Sequence, residues 1–583
     1  MILQALVRAY DALAEQGRLD RPGWLQAKVS WSLELDEAGG LRDIIPLGTP
    51  DRKGKLTPRP MSLPEMVKRA SNIAANFLCD NATYMLGIDI KGKKDRAVKC
   101  FEDCRRVHLG LLRNEDQPFA RAICRFFETW DAQNAETHPL VAPILDKLKT
   151  GGNMVFSMNE VFAQEVREIH AAWDRAYSAH ADAPQGRCLV TGEQGPIALL
   201  HPAIKGVAGA QATGASLVSF NGASYESYGR REDQGLNAPV GEHAAFAYGA
   251  ALNYMIRERD YRQRLGSTTM VYWAEGARPQ YSSAMAYLLG DANDTVDQEL
   301  LRPVAEDLRC GRSSVLDDVP LQPDNRFYML GLAPNAGRLS VRFFIENSFR
   351  GFAENLHRHQ ERLEIVRPDK DGRQELSLWA LLNETANPKS TDKKPPDDLV
   401  GEVMRAILTD TPYPAALFAQ VELRLRAERD INRGKAAIIK AYLTKNVVRD
   451  QASHPMKEVL TVKLSDESSY APYVLGRLFA VLESLQLRAN PGINTTIRDR
   501  YFNSACATPA MVFPALIKLA QNHLNKLGGG LAVYYDKLLT SLYGRLEDTL
   551  PKRLTLEEQG VFQLGYYHQK QALYTKKEDR DNG

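Results

Sequence analysis

Polar and aromatic side chains gather in one stretch of the sequence, Ser219–Gly229, and continue into the residues just after it. Asn221, Ser224, Gln234 and Asn237 are neutral hydrogen-bonding residues of the kind that read the edges of bases. Two tyrosines add flat faces and two arginines follow. Polar, aromatic loops carried on a rigid scaffold are frequent binding surfaces, so the stretch is a candidate for recognition. An ordinary long surface loop is the alternative, and composition does not decide between them.

Two basic clusters in the N-terminal part could hold a phosphate backbone. The first lies in the Gly- and Pro-containing loop TPDRKGKLTPRP, and the second in the run KGKKDRAVK. Their members are Arg52, Lys53 and Lys55 in the first, and Lys91, Lys93, Lys94 and Arg96 in the second. Lysine and arginine contacts to phosphates position a protein on nucleic acid without reading its sequence. A solvated connection and a solvated helix face are the competing interpretations.

Cys100, Cys104 and His108 recur every four residues and would share one face of a helix. A structural zinc ion normally has four ligands, and no CxxC pair completes the set. We therefore expect these side chains to pack in a core, and we expect neither a metal nor another cofactor.

The same central stretch could instead hold an enzyme active site. His201 and His243 flank it, and Ser219 or Ser224 could be a nucleophile. The sequence lacks the GxSxG, GxxxxGK[ST], HExxH and GxGxxG patterns that organise such chemistry. The alternative is a hydrolase or nuclease with its site in Ser219–Gly229, whereas the missing motifs favour binding.

Alternation and helical periodicity indicate the elements that would position these residues. Val29–Leu35 alternates and, with Leu41–Leu47, predicts a hairpin after an N-terminal amphipathic helix. A mainly helical region follows from Met61 to about His180, broken near Asn81–Gly87 and Gly151–Ser157, and a helix is predicted over Glu242–Arg259. Further strand predictions are Cys188–Thr191, Ile197–His201, Leu217–Phe220, Thr268–Trp273, Phe327–Leu332 and Ser340–Ile345.

The fold class is predicted as α+β, with a mixed α/β N-terminal region and a C-terminal all-α helical bundle. The mixed region covers 1–386, with a subdivision near 180, and the polar, proline-bearing stretch 387–398 is a linker. The bundle covers 399–583. Its predicted helices are Val400–Leu408, Ala415–Arg429, Lys435–Asn446, Pro472–Arg488, Thr495–Cys506, Pro509–Leu527, Leu531–Leu550 and Thr555–Tyr574.

The totals describe an ordinary globular chain of 583 residues, 44% hydrophobic and 25% charged, with a net charge of +2. Any basic surface must therefore be local. Seven scattered cysteines favour a reducing compartment, and the N-terminus lacks the features of a signal peptide. Because no apolar run approaches the ~18 residues of a membrane span, we expect a cytoplasmic protein with no membrane partner.

Several runs together resemble the large subunit of the type I-C CRISPR surveillance complex (Cascade), a Csd-type family. The resemblance spans nearly the whole chain, and the SFN…SYG and PNAGRLSVRFF runs are its most specific parts. The runs are Met1–Leu13, Asn76–Asp89, Leu189–Val207, Leu217–Gly229, Gln234–Asn253, Met270–Glu275, Phe327–Phe344, Ile431–Leu443 and Tyr473–Glu483.

This resemblance implies a non-catalytic, RNA-guided DNA-binding subunit. Such a subunit recognises the PAM duplex beside the target, promotes strand separation and R-loop formation, stabilises the displaced strand and supports recruitment of a helicase–nuclease. The implied partners are CRISPR RNA, target double-stranded DNA, the backbone and foot subunits, the helicase–nuclease, and a small subunit from the same gene. Met456 is the predicted internal start for that small subunit.

Within this role, Asn72 and Asn81 join the four polar residues above as candidates for reading the PAM. Arg338 and Arg342, in the PNAGRLSVRFF run, are candidates for contacting RNA or a neighbouring subunit. A positively charged groove on the helical region would follow the displaced strand. Its candidate residues are Arg424, Arg426, Arg429, Arg433, Lys435 and Lys440.

Overall fold

A computed structural model describes most of the chain. It covers residues 1–50, 56–67, 72–89, 92–178, 184–220, 222–227, 229–230, 234–290, 298–372, 376–449, 451 and 453–574. Of the described residues, 51% are helical and 16% lie in strands, which confirms the α+β class with a helical C-terminal region.

The strands of the described residues are numbered in chain order. They are β1 (Trp24–Leu35), β2 (Leu41–Pro46), β3 (Gly48–Pro50), β4 (Leu56–Pro64), β5 (Asp80–Asn81), β6 (Asn153–Met158), β7 (Val161–Phe162), β8 (Gln185–Arg187), β9 (Gln194–Pro196), β10 (Ala203–Ile204), β11 (Ala215–Ser216), β12 (Arg262–Leu265), β13 (Thr268–Ala274), β14 (Ser314–Leu316), β15 (Val319–Leu321), β16 (Arg326–Asn335) and β17 (Arg338–Ser348).

The α-helices are numbered in the same way. They are α1 (Ile2–Glu15), α2 (Ala82–Met85), α3 (Lys94–Leu112), α4 (Pro118–Thr129), α5 (Leu145–Lys149), α6 (Arg167–Ser178), α7 (Glu242–Arg257), α8 (Pro279–Leu288), α9 (Gln298–Arg309), α10 (Phe349–Leu363), α11 (Leu378–Asn383), α12 (Asp397–Leu408), α13 (Ala415–Glu428), α14 (Arg433–Tyr442), α15 (Ala471–Ala489), α16 (Ile497–Ala507), α17 (Pro509–Leu527), α18 (Gly529–Tyr543) and α19 (Leu556–Tyr574).

The chain divides into two compact units. The first unit holds Met1, Leu3–Pro202 and Ser219–Ala251, and the second holds Ile2, Ala203–Val218 and Leu252–Gly583. The predicted linker at 387–398 lies within the second unit. The reason is that α11, before it, and α12, which begins at its last two residues, contribute side chains to one hydrophobic core.

The sheet of the first unit has the strand order β3-β4-β1-β6-β5, with β2 also paired to β1 and β7 to β6. The predicted hairpin is confirmed as the antiparallel pair of β1 and β2. Against β6, Val29 lies opposite Asn153 but Trp31 lies opposite Met154, so Ser30 is an extra residue in β1. Such a bulge reverses the faces of the strand beyond it.

The reversal lets β1 serve two hydrophobic clusters. Val29 packs with Met61 in the smaller cluster, whereas Leu33 packs with Phe101 and Phe126 from α3 and α4 in the larger one. The helix α3 is thereby fixed on the sheet, with its basic N-terminus left at the surface.

The predicted buried face of α3 is confirmed. Cys100, Cys104 and His108 are all buried. The backbone N–H of Leu78 donates to His108 Nε2 at 2.9 Å. His108 therefore carries its proton on Nδ1, which donates to the carbonyl of Cys104 at 2.8 Å. Burial lowers the pKa of His108 to about 4, so the ring is neutral and both of its nitrogens serve the fold.

The second unit combines a sheet with the C-terminal helices. Its sheet order is β10-β11-β17-β16-β13-β12. The predictions over Thr268–Trp273, Phe327–Leu332 and Ser340–Ile345 are confirmed as β13, β16 and β17. The predicted helices after 399 are confirmed as α12–α19, although α14 passes into a π-helix at Leu443–Val448 and α18 ends at Tyr543.

A carboxyl group is buried between α13 and α19. Glu422 is only 2% exposed, and its Oε2 accepts a hydrogen bond from Gln563 Nε2 at 2.9 Å. Its Oε1 has no hydrogen-bond partner among the described residues. Burial raises the pKa of Glu422 to about 7, because a charged carboxylate is poorly solvated there.

Three strand predictions near the central stretch are wrong. Cys188–Thr191 forms the turn between β8 and β9, in which the backbone N–H groups of Val190 and Thr191 both donate to Cys188 Sγ at 3.4 Å. In Ile197–His201, only Ile197 makes a β-bridge before the chain bends. Leu217–Phe220 follows β11 without pairing, because the chain passes from the second unit to the first at Val218–Ser219.

Candidate nucleic-acid interface

The central stretch forms two short 3₁₀ turns in the first unit, Ala223–Tyr225 and Gln234–Asn237. Of the predicted reading residues, Asn221 lies outside the described residues. We name the described residues 222–227, 229–230 and 234–237 the recognition segment. It ends shortly before α7 begins.

Asn237 holds the recognition segment together. Its Oδ1 accepts a hydrogen bond from the backbone N–H of Ser227 at 2.6 Å. Its Nδ2 donates to the carbonyls of Arg230 at 3.1 Å and Gln234 at 3.0 Å. Three points of the segment are therefore tied to one amide. Because both ends of that amide are engaged within the protein, Asn237 positions the segment rather than offering a group to a base.

A glycine in the second turn allows close contact between this turn and a neighbouring part of the chain. Gly235 is buried, and a Cβ at this position would lie 2.0 Å from the carbonyl oxygen of Ala198. No side chain fits there, so only glycine permits the close approach. The backbone N–H of Ala198 also donates to the carbonyl of Val240 at 2.9 Å. The recognition segment is thus fixed to residues 198–199 by backbone contacts.

The first turn presents side chains to solvent. Ser224 is exposed and Tyr225 is 48% exposed, while Gln234 is half-buried. A hydroxyl can donate to or accept from a base edge, and a tyrosine ring offers a face on which a base stacks. The turn can therefore supply one hydrogen-bonding group, the hydroxyl of Ser224, and one aromatic face, the ring of Tyr225.

The other two asparagines differ in their availability. Asn72 is exposed. Asn81 is the N-cap of α2, and its Oδ1 accepts a hydrogen bond from the backbone N–H of Thr83 at 3.0 Å. The amide oxygen of Asn81 therefore satisfies a helix terminus, as N-cap residues typically do.

The second basic cluster surrounds the start of α3. Lys93 is its N-cap residue, Lys94 and Arg96 lie in its first turn, and all three are exposed. Positive side chains are unfavourable at a helix N-terminus, where the peptide dipoles already place positive charge. Their position is not explained by helix stability and suits an anion. Arg52, Lys53, Lys55 and Lys91 lie outside the described residues.

Arg338 and Arg342 both lie on β17 and are half-buried. Arg342 Nη1 donates to Asp398 Oδ1 at 2.6 Å, and Arg405 Nη2 donates to the carbonyl of Arg342 at 2.8 Å. Arg342 therefore joins β17 to α12. Arg338 stands at the start of the strand, opposite Ser216 of β11.

Two of the six basic residues predicted on the helical region are inside the protein. Lys435 is 4% exposed and Lys440 is 5% exposed. The ammonium of Lys435 bonds Glu428, and that of Lys440 donates to the carbonyl of Arg362 at 3.1 Å. Because these groups are enclosed and bonded within the fold, we do not carry them into a DNA-binding surface.

The remaining four differ in exposure. Arg424 and Arg433 are half-buried and form ion pairs with Glu428 and Asp371. Arg426 and Arg429 are exposed, near the C-terminal end of α13. These two arginines are the members of the predicted set that solvent reaches most fully.

One of the two histidines named for the hydrolase alternative, His201, is engaged elsewhere. His201 Nδ1 hydrogen-bonds the hydroxyl of Tyr248 at 2.8 Å, and burial lowers the pKa of His201. Its Nε2 is buried and has no partner among the described residues, whereas Ser224 is exposed. In the part of the chain that the structure describes, no group of three or more His, Cys, Asp or Glu residues could hold a metal ion.

Two exposed leucines beside the recognition segment were not predicted from the sequence. Leu199 is 45% exposed and Leu200 is 75% exposed, at a bend that was predicted as a strand. The available signal was the proline at 202, since residues before a proline often leave regular structure. Among the described residues, no helix combines the length and apolarity needed to cross a membrane.

Comparison with known proteins identifies the family. A family model described as CRISPR-associated protein (Cas_Csd1) matches residues 6–574. No curated protein matches the chain. Since the match covers nearly the whole chain, the resemblance of the sequence is confirmed, and the chain belongs to the Cas_Csd1 family, the large subunits of the type I-C CRISPR surveillance complex.

Proposed function

We propose that this large subunit recognises the PAM duplex through the recognition segment and so starts strand separation. The observation that carries the proposal is the exposure of Ser224 and Tyr225 on a turn that shortly precedes Ser227, where the segment is hydrogen-bonded to Asn237. A preorganised turn loses little conformational freedom on binding, so its few contacts can discriminate between sequences. Gln234 and Asn72 are the further candidates for contacting a base edge.

In this proposal the phosphate backbone is held separately from the bases. Lys93, Lys94 and Arg96 contact phosphates at the start of α3. The first basic cluster of the sequence, which contains Lys53, contributes further phosphate contacts. These contacts set the orientation of the duplex and supply affinity that depends on salt. The recognition segment then reads the sequence, which is the usual division of roles between phosphate and base contacts.

After strand separation, we propose that the helical region stabilises the displaced strand. Arg426 and Arg429 are the candidates for contacting this strand, because both side chains are exposed to solvent. Arg338 is the candidate for contact with CRISPR RNA or a neighbouring subunit. The remaining partners are the backbone and foot subunits, a helicase–nuclease recruited to the complex in the cytoplasm, and a small subunit translated from Met456.

We also propose that the subunit breaks no bonds itself. The family is one of structural subunits of the complex. Incubation of the isolated chain with labelled DNA and a divalent metal ion should leave the DNA intact. Cleavage that is lost in a Ser224→Ala or Glu226→Ala variant would instead establish the hydrolase alternative.

The test of PAM recognition uses the complex assembled with guide RNA on targets with randomised flanking sequence. The bound targets are sequenced for the wild-type complex and for a Ser224→Ala, Gln234→Ala variant. Loss of base contacts should cost roughly 1–3 kcal/mol and broaden the preferred flank. Ser541→Ala, at an exposed position on α18, is the matched control and should leave the preference unchanged. An unchanged preference in the double variant would remove the recognition segment from PAM reading.

A further inference from the structure

A carboxyl group and an amide meet in the core of the helical region. Glu422 on α13 and Gln563 on α19 are each only 2% exposed, and Gln563 Nε2 donates to Glu422 Oε2 at 2.9 Å. The other oxygen of each group, Oε1 in both residues, is also buried and has no hydrogen-bond partner among the described residues. Buried polar atoms are rarely left unpaired, so two such oxygens on groups already bonded to each other require an explanation.

A single proton satisfies both oxygens. An amide carbonyl and an ionised carboxylate are acceptors only, so neither oxygen has a hydrogen to donate to the other. A protonated Glu422 has an O–H group, which Oε1 donates to Gln563 Oε1. Together with the bond from Gln563 Nε2 to Glu422 Oε2, this closes a ring of two hydrogen bonds between acid and amide. An ionised Glu422 would instead leave both oxygens unpaired and place a charge in the core.

The surroundings of Glu422 favour its neutral form. Burial raises the pKa of Glu422 to about 7, although the hydrogen bond from Gln563 and the charge of Arg426 lower it. From α16, the buried thiol of Cys506 faces the same site, and burial raises the pKa of Cys506 so far that the thiol is neutral. From α14, the apolar Ile439 packs against the adjoining turn of α19. Among the described residues, Arg426 is thus the charged group that acts on Glu422.

The pair is one of two polar contacts that fasten α13 to α19. Arg426 lies four residues after Glu422, and Gln559 lies four residues before Gln563, so each helix uses one face for both contacts. In the second contact, Arg426 Nη2 donates to Gln559 Oε1 at 3.1 Å. Glu422 therefore helps to fix the turn of α13 that carries Arg426, one of the two exposed arginines proposed to contact the displaced strand.

We propose that Glu422 and Gln563 share a proton as a closed acid–amide pair, and that this pair makes binding of the displaced strand depend on pH. The inference rests on the proposed function, in which Arg426 and Arg429 contact that strand. When Glu422 releases its proton to water, its carboxylate faces the carbonyl oxygen of Gln563 and the ring opens. The end of α13 is then held less firmly on α19, and its arginines lose their fixed position.

The direction of the pH dependence follows from the proton balance. The closed pair holds a proton that the open pair releases, so closing is favoured at low pH and is lost as the pH rises through about 7. The displaced strand should therefore be bound more tightly below neutral pH than above it.

Infrared difference spectroscopy of the full chain tests the pair directly. The probe is the C=O stretch of a protonated carboxyl group, recorded at about pH 6.5 and about pH 8, on either side of the expected titration. The wild type should show this band at the lower pH, and Glu422→Gln should lack it. In Gln563→Met the band should move to higher frequency, because the carboxyl group no longer bonds to an amide. Glu402→Gln, at an exposed position on α12, is the control and should keep the wild-type band.

Permanganate oxidation of the displaced strand in the assembled complex tests the consequence for binding. Thymines that the protein does not hold react, and each rate is divided by that of the free single strand at the same pH. A pKa that moves from 4.5 in the open pair to about 7 in the closed pair changes the ratio of closed to open about fourfold between the two pH values. The wild-type complex should therefore react about fourfold faster at the higher pH. Glu422→Gln should react slowly at both, because its amide can donate to Gln563 Oε1 at any pH.

Three results would overturn the proposal: a missing acid band in the wild type, an unshifted band in Gln563→Met, or the wild-type pH dependence of oxidation in Glu422→Gln. A thermal melt shows whether each variant is folded, and if Gln563→Met is not, the comparison of the wild type with Glu422→Gln still decides.

Failure of the proposed function has a different signature. Arg426→Gln, Arg429→Gln would then leave protection of the displaced strand unchanged, while the acid band persists. In that case the pH-dependent binding falls together with the proposed contact, whereas the acid–amide pair stands.

Discussion

Replacing Asn237 by alanine should weaken PAM-dependent binding although no base contact is removed. The amide of Asn237 makes three hydrogen bonds, to the backbones of Ser227, Arg230 and Gln234. Each is worth about 0.5–1.5 kcal/mol net. Because the segment is partly exposed, we take a total near the lower end, about 2 kcal/mol. A loss of that size corresponds to a roughly 30-fold weaker complex if all of it appears in binding.

The assay compares dissociation constants of assembled complexes on two duplexes that differ only in the PAM. Asn237→Ala should raise the constant for the PAM duplex and leave that for the PAM-free duplex nearly unchanged. Hydrogen exchange on the free complex should rise at the backbone N–H of Ser227, which loses its acceptor.

Asn446 offers a matched control in the second unit. Its amide also spans two backbone groups, since its Oδ1 accepts from the N–H of Tyr413 at 3.0 Å and its Nδ2 donates to the carbonyl of Tyr413 at 2.8 Å. Asn446→Ala should lower thermal stability without changing PAM discrimination. Equal effects of the two variants on discrimination would refute the positioning role of Asn237.

Three other predictions follow from the described contacts. A Lys93→Gln, Lys94→Gln, Arg96→Gln variant should bind all duplexes more weakly, and the slope of log K against log salt should fall by about 0.9 for each lost phosphate contact; unchanged salt dependence would contradict this role. The pKa of Glu422 is raised to about 7 in the folded chain, so the folded state holds a proton that the unfolded state has released. The stability of the folded state is therefore greatest below pH 4.5 and falls as the pH rises to 7. Glu422→Gln removes this titration, so urea unfolding should show the variant gaining up to about 3 kcal/mol over the wild type across that range; a constant difference would argue against it. Lys440→Met should alter thermal stability but leave affinity for the displaced strand unchanged, and a loss of that affinity would show that the buried lysine is reached by DNA.

Long periodic segments were predictable from the sequence. The predicted helix Pro509–Leu527 coincides with α17, because its apolar residues repeat at helical spacing over five turns. Strands β13 and β16 were predictable because their long apolar runs are buried on both faces. The buried face of Cys100, Cys104 and His108 followed from their four-residue spacing alone.

Short apolar runs were not predictable in the same way. Cys188–Thr191 contains enough apolar residues for a strand, yet backbone hydrogen bonds to its thiol close a turn. Leu217–Phe220 lies where the chain changes from one unit to the other, which no local pattern reveals.

The recognition segment was located by its composition, but the roles of its residues were not. Asn237 is chemically suited to read a base, and only its contacts with residues three, seven and ten positions earlier assign it to positioning. Lys435 and Lys440 show the same limit, because residue type gives charge whereas tertiary packing decides burial. Leu199 and Leu200 became notable only once their exposure on a fixed bend was known.

The central claim is that the recognition segment lies against the duplex that flanks the target. The most direct measurement places a photo-crosslinking amino acid at Tyr225 in the assembled complex and maps the products on PAM-containing DNA. Crosslinks are expected to the base pairs of the PAM and to the first base pair of the target. Crosslinks confined to protein, to CRISPR RNA or to distant DNA would contradict it.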